Sequence, residues 1–347
     1  AYGRLNLTIR SLEAAENNFN VALGLSEDQG DNLALFVALE GLANTYLAQQ
    51  RPEEARPVIA RMQDLAPTRL ETAFLSARIA YLDSEWEIAE EFLQAIMSAA
   101  PDNRSAQMLL GVVHLRSGNL AQAEMYLSAV VAAAPDNFEA RRRLAETRLL
   151  MDKMNEAQAA LLPMLSRSGT DYRSLSLAAQ ASAGLGQFDA AIGYLEESLE
   201  QNPNNLNLKF QLATTYLNAG RDSDATRLLA EMDASDTAEN EIRRESLMIL
   251  TDIRSSDLNG ALAKATAATQ KWPQSAEVFQ ILGTVHAFRS EPDLARASYE
   301  RALELAENNV GARRLIAQLE TSEGNLQAAE EQYLAILEIQ PDAPWAM

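Results

Sequence analysis

Residues 104–137 read RSAQMLLGVVHLRSGNLAQAEMYLSAVVAAAPDN. Gly118 divides two runs with helical apolar spacing, and Pro135 stops the second, because proline cannot continue a helix. The segment therefore reads as helix, short turn, helix. The landmark in its second helix is Ala123, and that landmark recurs as Ala15, Ala55, Ala89, Ala123, Ala157, Ala191, Ala225, Ala261, Ala295 and Ala329. The steps are 40, 34, 34, 34, 34, 34, 36, 34 and 34 residues. Pro67, Pro101, Pro135, Pro203, Pro273 and Pro341 keep the same phase, with Gly169 in the equivalent slot of a seventh unit.

Twelve residues before each landmark from Ala55 onward stand Ala43, Ala77, Gly111, Ala145, Ala179, Ala213, Ile249, Gly283 and Ala317. All but Ile249 are small, which predicts close approach of two helices there. Four residues after the landmark the chain is mostly large and apolar, as at Leu93, Leu127, Leu161, Leu195 and Tyr299, one turn along on the same face. Gly118, Gly186, Gly220 and Gly324 share one turn position, where a left-handed helix cap favours glycine. A 34-residue helix-turn-helix with these landmarks resembles the tetratricopeptide repeat (TPR) over essentially the whole chain. The family's early first-helix aromatic is mostly missing, as at Ala73, Gln107 and Arg141.

One hairpin cannot bury its own apolar face, so the units must stack. The resemblance implies an all-α, right-handed superhelical solenoid of about nine full repeats plus partial ends, with a concave groove lined by the first helices. The expected divisions are a partial repeat with an insertion at 1–35, the array at 36–341, and the start of a further repeat at 342–347. Two irregularities break the period, near Ser26 to Asn32 and near Ala234 to Glu239. With Ile249 in a small-residue slot, the array is expected to be softest at 233–257.

Charge narrows the class of partner. Twenty-nine basic against forty-nine acidic residues leave −20, which disfavours nucleic acid and anionic membrane. A hydrophobic content of 47% is ordinary for a folded chain, and no apolar run is long enough to span a bilayer. The absence of cysteine removes disulfides, thiolate nucleophiles and cysteine-bearing metal sites. Beginning and ending in mid-repeat, the sequence is expected to be a piece of a longer polypeptide.

No constellation for chemistry stands out. His114 and His286 are the two histidines, and they occupy one repeat slot, where Tyr46 and Tyr216 stand in other units; packing is the expectation. There is no phosphate loop, zinc helix or nucleophile elbow, and Ser26 to Asp31 lacks the alternating ligands of a calcium loop. The pairs Glu90-Glu91, Glu196-Glu197 and Glu330-Glu331 recur at one phase, which marks a solvated face. The expectation is no catalysis, no cofactor and no metal.

The groove is the remaining place to bind. Its first-helix positions collect Arg78, Arg116, Arg142, Arg173, Arg243, Arg254 and Arg314 against Glu40, Glu71, Glu139, Glu146 and Glu277, an excess of arginine in an acidic chain. Phe74, Arg78, Tyr81, Met108, Arg116 and Arg142, from three consecutive units, form the candidate partner-binding patch, since aromatics and arginine dominate binding hot spots. The competing reading packs Phe74 and Tyr81 against neighbouring helices and pairs the arginines with Glu139 or Glu146. The carboxylate clamp of chaperone-associated members of the family is not expected, because its slots hold residues such as Glu40, Asn44, Phe74 and Arg78.

The wording from Leu109-Leu110-Gly111 through Gly118 to Glu124, then Ala133 to Asn137 and Leu161-Leu162-Pro163, is similar to bacterial repeat lipoproteins of PEP-CTERM and exosortase systems. That resemblance implies an extracytoplasmic scaffold in exopolysaccharide assembly or export, although a cytoplasmic location is also compatible with the residues. The expected function is a non-catalytic scaffold for a protein or extended peptide. The alternative is a module binding an acidic polysaccharide directly.

Overall fold

The computed structural model describes residues 12–166, 169–232 and 237–340, and among these every regular element is an α-helix. They fall in two compact units that divide between Thr170 and Asp171. The first holds α1 (Leu12–Gln29), α2 (Asn32–Ala48), α3 (Pro52–Leu65), α4 (Leu70–Leu82), α5 (Trp86–Ala99), α6 (Arg104–Arg116), α7 (Leu120–Ala133), α8 (Phe138–Leu150) and α9 (Met154–Leu165). The second holds α10 (Tyr172–Gly184), α11 (Phe188–Gln201), α12 (Leu206–Asn218), α13 (Asp222–Glu231), α14 (Ala238–Arg254), α15 (Leu258–Lys271), α16 (Ala276–Phe288), α17 (Pro292–Leu305), α18 (Val310–Glu323) and α19 (Leu326–Ile339). Within each unit every helix packs on its chain neighbours. Successive first helices, such as α2, α4, α6 and α8, also touch one another.

Helix ends follow from local chemistry. α3, α5, α7, α11 and α15 each stop two residues before Pro67, Pro101, Pro135, Pro203 and Pro273. Two residues after the proline, Asn103, Asn137, Asn205 and Ser275 accept from backbone N–H groups of the first turn of α6, α8, α12 and α16. Inside each hairpin the residue five before the landmark alanine is left-handed. Gly118, Gly186, Gly220 and Gly324 occupy that position, with φ of 83°, 71°, 74° and 85°. Gln50, Ser84, Asp152, Ser256 and Ser290 occupy it elsewhere, with φ of 59–66°. Five hairpins thus hold a side chain where its Cβ crowds the backbone.

The core pairs one small residue with one large one per hairpin. A Cβ on Gly111 would stand 2.6 Å from Leu127 Cγ, and one on Gly283 would stand 2.4 Å from the Tyr299 ring. Ile249, the exception among the small residues, resolves the same way. Four residues after its landmark stands Ala265, both are fully buried in one cluster, and the large and small partners have exchanged helices. Local volume is conserved, which close packing requires.

The six extra residues before α2 do not loop out. α1 runs on to Gln29, Ser26 is buried and bonds to the Ala22 carbonyl, and Asp31 caps α2. The insertion lengthens both helices to 18 and 17 residues, against 13 and 14 for α6 and α7. Residues 233–236 of the expected soft segment, and 342–347 of the expected further repeat, lie outside the described residues.

Candidate functional site

The first helices of the first unit present two columns of side chains at 34-residue spacing. One is Glu40, Phe74, Met108 and Arg142; the other is Asn44, Arg78, Val112 and Glu146. Between α4 and α6 these columns bound a cleft of about 370 Å³, walled by Phe74, Met108, Leu109 and Val112, with Arg78 and Arg104 also lining it. A second cleft of about 300 Å³ lies between α2 and α4, lined by Glu40, Asn44, Glu71 and, again, Phe74. Phe74 and Ser105 border both.

Arg78 is half-buried, and its Nη1 donates to Asn44 Oδ1 at 2.9 Å. Asn44 is itself held, since its Nδ2 donates to the Glu40 carbonyl at 3.0 Å. Burial pulls the Arg78 guanidinium below the ordinary arginine range, and no carboxylate offsets it. Arg104, exposed at the first position of α6, pairs with no acid among the described residues either. Most other arginines among the described residues are engaged by carboxylates, carbonyls or rings, as Arg148 is by Glu124, Arg244 by the Met232 carbonyl and Arg69 by the Phe36 ring.

Models described as tetratricopeptide repeat match residues 80–137, 114–181, 183–244 and 281–344, which together span well over half of the chain. The chain belongs to the tetratricopeptide repeat family. Solved structures agree on the fold. A tetratricopeptide repeat protein from Parabacteroides merdae is 13% identical with a TM-score of 0.58, covering 70% of this chain and 95% of its own. Yeast Tom70 is 13% identical with a TM-score of 0.53, covering 99% of this chain and 85% of its own. No curated protein matches significantly.

As a TPR protein, the chain places its sequence-selected residues unevenly. Phe74, Arg78 and Met108 meet in one cleft, where Phe74 also packs against the core cluster of α4 to α6. Tyr81 does not join them; it packs in the core cluster of α4 to α6, its ring centroid 5.6 Å from that of Trp86. Arg116 pairs with Glu146 at 3.4 Å, and Arg142 pairs with Glu139 one turn back on α8. The groove arginines of the second unit are also engaged: Arg254 bonds to Asp222 at 2.6 Å, and Arg243 lies 4.6 Å over the Phe210 ring.

Sequence phase missed Arg104. It stands at the first position of its TPR helix and is not among the groove residues selected from the sequence. It lines the cleft nevertheless, because it stands one turn before Met108 on the same face of α6. The histidines pack. His114 is buried and stacked on Tyr126 at 5.6 Å, while His286 Nδ1 lies 2.7 Å from Glu291. Among the described residues no group of acids and histidines is arranged to hold a metal, and no helix is long and apolar enough to cross a membrane.

Proposed function

We propose that this TPR chain is a non-catalytic scaffold that holds an extended segment of a protein partner against the first helices α4, α6 and α8. One observation carries the reading. The cleft between α4 and α6 combines an apolar wall of Phe74, Met108 and Val112 with two guanidinium groups that no carboxylate among the described residues neutralises. An apolar anchor site with convergent polar groups is what a bound side chain needs for affinity and orientation. In this reading Phe74, Arg78 and Met108 make the central contact, Arg116 and Arg142 contribute from the rim, and Tyr81 stiffens the wall from behind.

The phrasing of residues 109–163 supports a finer setting, a bacterial envelope scaffold acting in exopolysaccharide assembly or export. A reading frame flanked by polysaccharide synthases and an exosortase is the expected genetic context. Direct binding of an acidic polysaccharide is the second reading, favoured by Arg78 and Arg104 sharing one cleft.

Photo-crosslinking from position 108 in a bacterial envelope extract tests the function. A protein captured by the wild type and lost on Phe74→Ala supports the scaffold. Acidic glycans that bind equally well to Phe74→Ala, with affinity falling steeply as salt rises, would instead establish the polysaccharide reading.

A further inference from the structure

The two clefts that share Phe74 carry opposite charge. The α4–α6 cleft holds Arg78 and Arg104, and among the described residues neither meets an acid. The α2–α4 cleft holds Glu71, exposed and without an ion pair, beside Glu40. Elsewhere among the described residues most basic side chains have found an acid, as in Arg148 and Lys153 on Glu124 at 2.9 and 2.5 Å, while the excess of acids leaves many carboxylates without an ion pair. Arg296 similarly meets Glu320 at 2.8 Å. What departs from the rest is the pair of guanidinium groups that meet no acid among the described residues on one side of the Phe74 ring, with the carboxylates of Glu71 and Glu40 lining the cleft on the other.

We propose that the two clefts together read an extended peptide of fixed charge order: a basic side chain over Glu71, an apolar side chain on Phe74, and an acidic side chain between Arg78 and Arg104. This rests on the protein-binding reading above and adds the class of sequence that is bound. Charge complementarity selects the occupant. A purely anionic ligand satisfies one cleft and is repelled at Glu71, whereas a dipolar peptide satisfies both. Spacing also agrees. Neighbouring helices lie about 8 to 10 Å apart, which about three residues of extended chain span at roughly 3.3 Å each. Asn44 contributes by orienting Arg78, whose planar fork matches a carboxylate in two-point contact.

A random peptide library displayed on phage, panned against the whole chain, is the test. The expected enrichment is an acidic and a basic residue about three positions apart with an apolar residue between them, and binding is lost on Phe74→Ala. For a synthetic peptide of that pattern, Arg104→Glu should cost about tenfold in affinity and erase the preference for the acidic residue. Glu71→Arg should cost about as much and erase the preference for the basic one. Both residues are exposed, so neither change threatens the fold. Peptides that need Phe74 yet show no charge order, with affinity unmoved by Arg104→Glu and Glu71→Arg, would overturn the charge order and leave the scaffold reading standing. Enrichment that never depends on Phe74 would overturn both.

Discussion

Arg78 Nη1 donates to Oδ1 of Asn44, a residue thirty-four positions earlier at the same place in the preceding hairpin. The bond ties α2 to α4 across their groove faces and aims a half-buried guanidinium at the cleft beside Phe74. Removing the acceptor should therefore affect stability and recognition separately. Asn44→Ala is expected to lower unfolding free energy by about 1 kcal/mol in urea titrations, the usual worth of one such bond. It should also weaken binding of any cleft ligand more than that loss explains. An Asn44→Ala chain with unaltered ligand affinity would show that Arg78 needs no positioning.

Ile249 and Ala265 are an inverted large-small pair, so they should couple. Ile249→Ala opens a cavity at a fully buried site and is expected to cost about 2 to 5 kcal/mol. Ala265→Leu overpacks the same space, at about 1 to 3 kcal/mol. Together they restore the arrangement of the neighbouring hairpins, and the double variant should recover most of the summed loss. Strict additivity in the denaturation midpoints would refute the pairing.

Glycine in place of the left-handed side chains should stabilise. Ser84, Ser256 and Ser290 have φ of 61°, 66° and 60° at the position where Gly118 and Gly186 stand. Relief of about 1 to 2 kcal/mol of backbone strain, less the extra flexibility of unfolded glycine, leaves a gain on the order of 0.5 kcal/mol per site. Melting temperature should rise stepwise as Ser84→Gly, Ser256→Gly and Ser290→Gly are combined.

Gly283→Ala is expected to destabilise by about 1 to 3 kcal/mol, because its new Cβ meets a Tyr299 ring that is only 2% exposed. The last hairpin holds Ala317 before Tyr333, and there the tyrosine is only partly buried. Calorimetric melts of Gly283→Ala and Ala317→Gly would separate the two environments.

His114 should make stability fall on mild acidification. Burial holds its folded-state pKa below the ordinary histidine value, and the Glu90 carboxylate, 3.9 Å from Nε2, only partly opposes this. The unfolded chain then binds the proton more readily than the folded one. The histidine's contribution is complete above about pH 7 and declines as pH drops through the unfolded value of about 6.5 toward the lower folded one. His114→Phe keeps a ring against Tyr126 and should flatten urea midpoints measured between about pH 7.5 and 5.5. Parallel pH profiles for wild type and variant would refute this.

Much of this was legible in residue order, because the signals are local. A proline two residues past a helix end, an asparagine or serine two residues further on and a left-handed residue five before the landmark alanine each act within one turn of backbone. A period of 34 repeats them often enough to set phase. Ile249 was legible as an anomaly and not as a solution, since the compensating Ala265 is significant only once the two helices are packed.

What only tertiary structure decided is which charges remain available. Phase tells where a Cβ points, yet an arginine side chain reaches several ångströms further and turns to whatever carboxylate a neighbouring turn or hairpin offers. Arg116 and Arg142 are thereby engaged by Glu146 and Glu139, while Arg78 finds only the amide of Asn44. Arg104, one turn before Met108 at the very start of α6, joins Arg78 in the cleft. The backbone plan is a short-range property written in each repeat. The recognition surface is the residue of ion pairing between turns and hairpins, which no single repeat encodes.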